Sequence, residues 1–249
     1  MKFKITILLL ICIVWSPLAQ ARNVTVGIIN LKPWGEITQG RKFKGQHIDF
    51  FNELSKRVGL TFDYKMLSIP RIKEGLRNGG IDITIIFHRQ KMIPYVHFIG
   101  LVLPYNYYLI GNAGHSFDDQ EIQKLERVGY VQGEEDVAKK CLSDKFNAST
   151  ELLPASNYRS LLKMLQKQRF DAVTIPSKGL KAYLDEIDAD ERTISQLFVL
   201  CKNEAYLQTS KKSNILKPDD IALLRKTLNA MIQDGTVERI AAKYHELEH

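Results

Sequence analysis

Cysteine is scarce, with three in 249 residues at positions 12, 141 and 201. None stands in CxxC spacing, so structural zinc and a redox pair have little basis. The chain has no GxSxG and no phosphate-binding loop, which removes the common serine-hydrolase and nucleotide signatures. Blocks of like charge are missing too. The 35 basic residues are interspersed with 28 acidic ones, a pattern of solvated surface rather than of a nucleic-acid-binding arm. The longest apolar run, residues 5–15, holds eleven residues, whereas a membrane span needs roughly 20.

That run has the form of an export leader. Lys2 and Lys4 precede it, and Pro17-Leu18-Ala19-Gln20-Ala21 follows with an A-x-A ending. Residues 1–21 are therefore expected to be a cleaved signal peptide and the mature chain to be periplasmic. Cys12 follows the bulky Ile11, which argues against lipidation. Cleavage leaves 249 − 21 = 228 residues with net charge (35 − 2) − 28 = +5, enough chain for one large domain or two small ones. Cys141 and Cys201 remain as a candidate disulfide. The compartment permits pairing, but spacing alone does not decide it.

Strands and helices alternate from the start of the mature chain. Val24-Thr25-Val26-Gly27-Ile28-Ile29 reads as a buried strand and residues 30–45 as a loop. Ile48, Phe51, Leu54 and Val58 then recur at helical spacing up to Gly59. Leu60, Phe62, Tyr64 and Met66 alternate as in a strand, Pro70 opens a helix, and 81–87 is a further strand. Downstream, strands are expected at 128–132, 171–175 and 197–201. Helices are expected at 134–142, after a Ser156 cap, over 179–186 and from Pro218 onward. Such alternation means α/β layers with mostly parallel pairing. The stretch Leu76-Arg77-Asn78-Gly79-Gly80-Ile81-Asp82-Ile83 is echoed by Leu165-Gln166-Lys167-Gln168-Arg169-Phe170-Asp171-Ala172. Two copies of one helix-turn-strand unit point to two lobes of similar build.

These features, with several short motifs in fixed order, carry a family resemblance. The motifs are Val26-Gly27 with Pro33-Trp34, Phe43-Lys44-Gly45, and Ile48-Asp49-Phe50-Phe51-Asn52-Glu53-Leu54 with Gly59-Leu60. Gly79-Gly80-Ile81-Asp82, Tyr95-Val96-His97-Phe98 with Pro104-Tyr105, and Val128-Gly129-Tyr130-Val131-Gln132-Gly133 follow. Last comes Ile232-Gln233-Asp234-Gly235-Thr236-Val237-Glu238-Arg239-Ile240 with Lys243-Tyr244. The chain thereby resembles the bacterial extracellular solute-binding proteins of family 3, the type II periplasmic binding proteins that serve ABC transporters. The resemblance implies an α/β fold of two lobes, each a mostly parallel sheet flanked by helices, joined by a two-strand hinge. Lobe 1 would comprise residues 22–110 and 207–249, and lobe 2 residues 111–206. It further implies a monomer without cofactor or metal that captures a small polar solute, amino-acid-like or another organic anion. An inner-membrane ABC permease or a sensor would be its partner.

The family position of Trp34 places a ring against the solute, and Phe87, His88, Arg89 and Tyr105 stand near strand ends that would face the cleft. Families of this kind carry a carboxylate-binding arginine where this chain has Met92, so Arg89 or Lys91 would have to replace it. In lobe 2, Gln132 and Asn157 precede helix N-termini that suit an anionic group. Ser177 follows the strand after which amino-acid binders place an aspartate. His47, His88, His97 and Glu36 are the available acid–base groups and form no motif, so an enzyme is not expected. The alternatives are a dehydratase-like enzyme on the same fold and an accessory protein that has lost the usual ligand.

Overall fold

The computed structural model describes residues 22–244 apart from 143, 144, 146, 190 and 196; the expected signal peptide, 1–21, lies outside them. The first half builds strand β1 (Asn23–Ile29), the short hairpin β2 (Glu36–Ile37) and β3 (Phe43–Lys44), helix α1 (Gln46–Val58), β4 (Thr61–Leu67), α2 (Ile69–Asn78) and β5 (Ile83–Phe87). A long strand, β6 (Val96–Ile110), leads into α3 (Asp119–Ile122), β7 (Arg127–Val131), α4 (Glu135–Leu142) and β8 (Glu151–Ala155). Next come α5 (Tyr158–Gln166), β9 (Ala172–Pro176) and α6 (Leu180–Asp185). A second long strand, β10 (Phe198–Ser210), returns the chain to α7 (Pro218–Gln233) and α8 (Thr236–Ala242).

The main strands lie in the order β4-β1-β5-β10-β6-β9-β7-β8. Within each end the pairing is parallel, β1 with β4 and β5, β7 with β8 and β9. β6 and β10 run antiparallel to each other along almost their whole length, and each also joins one end set, β10 with β5 and β6 with β9. These two strands are the sole ladder between the lobes among the described residues. Helices α1, α7 and α8 pack together on lobe 1, and α5 and α6 on lobe 2.

The echoed units occupy equivalent places. In lobe 1 the Thr25 amide donates to Asp82 Oδ2 at 2.8 Å, and the Asp82 amide donates back to the Thr25 carbonyl. In lobe 2 the Arg127 amide donates to Asp171 Oδ2 at 2.8 Å, and the Asp171 amide to the Arg127 carbonyl. Each aspartate thus pins the entry of its strand to the neighbouring first strand. The registers match as well, Val26 opposite Ile83 and Val128 opposite Ala172. A glycine follows in each first strand because the residue before the aspartate packs over it. A Cβ at Gly27 would meet Ile81 at 3.0 Å, and one at Gly129 would meet Phe170 at 2.6 Å.

Three expectations need correction. The segment read as a loop, 30–45, contains the β2–β3 hairpin. The last strand extends far beyond 197–201, since β10 continues through Ser210 as a hinge strand. The cap of α5 is Asn157, whose side chain accepts from the Ser160 amide, and not Ser156, whose hydroxyl meets that of Ser160. Cys141 on α4 and Cys201 on β10 form a disulfide. Among the described residues no helix is long and apolar enough to cross a membrane.

Candidate functional site

The two lobes meet over a cleft walled mainly by aromatic rings. Trp34 is brought there by the turn after β1, where the Gly35 amide bonds the Leu31 carbonyl. The first free amides of α1 then hold its backbone, Gln46 donating to the Pro33 carbonyl and His47 to that of Trp34. This closeness requires Gly45 (φ 130°), since a Cβ there would lie 2.5 Å from the Trp34 oxygen. The indole is 5% exposed and sits 6.3–6.5 Å, centroid to centroid, from the rings of His47, Tyr105, Tyr158 and Tyr183. Tyr158 and Tyr183, both from lobe 2, stack on one another at 4.5 Å.

Strand alternation sorts the run after β5. Phe87 faces Tyr105 and Tyr107 of the hinge, at 5.6 and 6.2 Å. His88 turns to the opposite side and packs on Phe98 and Tyr206. Arg89 comes back, its guanidinium 5.4 Å above the Phe87 ring. It is 7% exposed, and its Nε has no hydrogen-bond partner. Lys91 points to the rim instead and pairs with Asp136 of lobe 2 at 2.9 Å, while Met92 is core.

Opposite Arg89 stands Glu134, at the entrance to α4. Its carboxylate is buried, and Oε2 accepts hydrogen bonds from the hydroxyls of Tyr107 and, at 2.6 Å, Tyr158. Burial raises its pKa, against the phenol hydrogen bonds and the charges of Arg89 and Lys73 that favour the ionised form. No direct ion pair joins Arg89 to Glu134, although each feels the other's charge. Lys73 of α2 donates to the Gly133 carbonyl at 2.5 Å, and burial lowers its pKa to about 8. His47 is 4% exposed with Nδ1 unpartnered, and burial brings its pKa to about 3.

The structure thus gathers Trp34, Phe87, Arg89 and Tyr105 into one cleft. His88 lies on the far side of the hinge. The Gln132 side chain is exposed, Asn157 is engaged as a helix cap, and the Ser177 amide is bound to the Asn106 carbonyl. Asn157 also borders a crevice of about 190 Å³ at the cleft mouth, with Lys32, Arg159 and Glu186. Sequence reasoning missed Glu134, Tyr158 and Tyr183. The signal that could have found Glu134 is its place directly after the strand-turn Val131-Gln132-Gly133. Deeper in, Trp34, His47, Phe87, Tyr105 and Glu134 border a pocket of about 20 Å³. No three His, Cys, Asp or Glu side chains among the described residues are grouped to hold a metal ion.

No family model and no curated protein matches the chain. Solved structures do. It is similar to an ABC uptake transporter substrate-binding protein from Streptococcus pneumoniae with bound histidine, at 14% identity, covering 91% of this chain and 93% of that one, TM-score 0.73. An ancestral arginine-binding protein bound to arginine is 20% identical over 90% and 98% of the two chains, TM-score 0.72. A histidine kinase sensor domain with similarity to periplasmic binding proteins is 14% identical over 90% and 96%, TM-score 0.71. These are binding proteins and a sensor domain, and the likeness spans both lobes and the hinge. The chain therefore has the two-lobed fold of the type II periplasmic binding proteins.

Proposed function

We propose that the chain is an exported solute-binding protein of the periplasm, released from a signal peptide at residues 1–21, that holds an amino-acid-like zwitterion between its lobes. Lobe 1 would comprise residues 22–110 and 207–249, and lobe 2 residues 111–206. The observation that carries this reading is the opposition of Arg89 and Glu134, both buried, across the cleft. Amino-acid binders need a cation for the carboxylate and an anion for the ammonium group. Arg89, with Nε unpartnered, can supply the first from lobe 1, and Glu134 the second from lobe 2. Trp34, Phe87 and Tyr105 offer apolar walls to a side chain. This arrangement weakens the case for a plain organic anion, because the lobe 2 wall already holds a carboxylate. It also weakens the accessory-protein alternative, since the aligned arginine and aspartate have counterparts from other positions.

Histidine and arginine bound to the similar structures support the same solute class. The kinase sensor domain supports a sensor as partner no less than a permease. Binding, not catalysis, is the reading, for the cleft's acid–base groups serve packing and hydrogen bonding. Thermal melting with a panel of amino acids tests it. A true ligand at 100 times its Kd stabilises the fold by about 2.7 kcal/mol. Arg89→Ala should then weaken that ligand about tenfold or more, the loss of a hydrogen bond to a charged group. A panel without any shift refutes the solute class, and an unchanged Kd in Arg89→Ala removes that residue from the site.

A further inference from the structure

The lobes touch through their own side chains, and those contacts fill the place where a solute would sit. Trp34 of lobe 1 packs at 6.4 Å against both members of the stacked Tyr158–Tyr183 pair of lobe 2. Lys73 of lobe 1 donates to the Gly133 carbonyl of lobe 2 at 2.5 Å. Glycine backbone of lobe 2 also lies close against proline rings of lobe 1. A Cβ at Gly133 would come within 2.9 Å of Pro70, and one at Gly179 within 2.7 Å of Pro33. At the rim, Lys91 meets Asp136 at 2.9 Å and Lys32 meets Glu186 at 3.7 Å. The crevice of about 190 Å³ at the cleft mouth is bordered by none of Trp34, Arg89 and Glu134, and the pocket that Trp34 and Glu134 do border, about 20 Å³, has room for about one water. An amino acid does not fit in it.

We infer that this cleft is self-latched: Trp34 and Lys73 close the lobes directly, so a solute binds the opened form and competes with closure. The inference rests on the reading that the cleft is the solute site, and it sets the sign of the coupling. A ligand shifts an equilibrium toward the state it binds better, and here that state has Trp34 withdrawn from the tyrosine pair. Withdrawal uncovers the flat apolar faces of Tyr158 and Tyr183, and it separates Lys73 and Arg89 of lobe 1 from Glu134 and Asp136 of lobe 2. Those opposed charges attract without any solute between them. A partner recognising the closed outline of this chain would therefore be engaged when solute is absent and released when it arrives.

Small-angle scattering of the full mature chain tests this, after refolding from denaturant with the disulfide intact so that any carried solute is removed. The wild type should scatter as the closed structure. Trp34→Ala and Lys73→Glu should each raise the radius of gyration, with the open-to-closed ratio rising about tenfold or more for the charge reversal. A wild type as expanded as the variants overturns the latch, and so do two folded variants as compact as the wild type. Should Trp34→Ala lose cooperative melting, Lys73→Glu decides alone, because its side chain lies on the half-buried face of a surface helix. Adding the common amino acids one at a time separates the two readings. An amino acid that shifts melting and expands the protein supports both, whereas one that binds and leaves the protein compact overturns the latch. If none shifts melting while the variants still expand, the solute class fails and the latch stands.

Discussion

His47 titrates against the fold. Its imidazole is buried beside Trp34 without a partner at Nδ1, and its pKa falls from 6.5 to about 3 because burial disfavours the cation. Between those values the unfolded chain binds a proton that the folded chain does not. Stability from this residue is therefore complete above about pH 6.5 and is lost as pH falls toward 3. Glu134, across the same cleft, runs the other way: its raised pKa favours the folded chain in acid and less so as pH rises through the folded value. Arg89 and Lys73 stay cationic over this range. Replacing His47 by Gln isolates its share. The stability difference between variant and wild type should move toward the variant by about 3 kcal/mol from pH 7 to pH 4, read by urea denaturation. Parallel curves would show that His47 is charged or hydrated in the fold. The residues of this site were unequally legible. Trp34 and Arg89 stand beside strand ends with family motifs, so position alone picked them out. Glu134 reads in sequence as an acid in a helix's first turn, where the macrodipole explains it fully. Tyr183 reads as the apolar stripe of a short helix, because periodicity reports that a face is covered and not what covers it.

At the scale of elements, the parallel units were readable from their patterns, whereas the two-strand hinge came from the resemblance and the length of its strands was not readable. α2–β5 and α5–β9 keep simple patterns, a helical stripe, a polar turn, an aspartate and a β-rich run. β10 breaks the strand pattern with Lys202-Asn203-Glu204, since there its two faces meet the cleft region and solvent in place of a core. β6 carries Gly100 and an exposed Pro104, which suggest a break. Pro104 is tolerated because the long ladder with β10 has register shifts at this level, between Ala205 and Tyr206 among others. The disulfide joins this same hinge strand to α4, the helix that begins beside Glu134. Cys141 and Cys201 are 60 residues apart, and closing a loop of that length removes about 4 kcal/mol of unfolded-state freedom. Cys141→Ser with Cys201→Ser should therefore lower the denaturation midpoint by a corresponding amount, and reductant should do the same to the wild type. An unchanged midpoint in both would mean that the bond adds nothing to stability.

On the scale of the whole molecule, two kinds of contact hold the lobes together, and salt separates them. Lys91–Asp136 and Lys32–Glu186 lie at the rim between side chains that are about one-third to three-quarters exposed. Such pairs contribute between zero and about 1 kcal/mol and are screened further as the Debye length falls to about 3 Å in 1 M salt. Trp34 against Tyr158 and Tyr183 is buried and uncharged, and apolar contact of this kind is not weakened by salt. Lys73 is half-buried where it meets the Gly133 carbonyl, which limits how far ions can reach it. Closure resting on the indole and this lysine should thus survive salt. The scattering curve of the wild type at low ionic strength and in 1 M sodium chloride is expected to be the same. Expansion in high salt would assign closure to the rim pairs, and Trp34 would then be a passive filling of the cleft with no hold on the lobes.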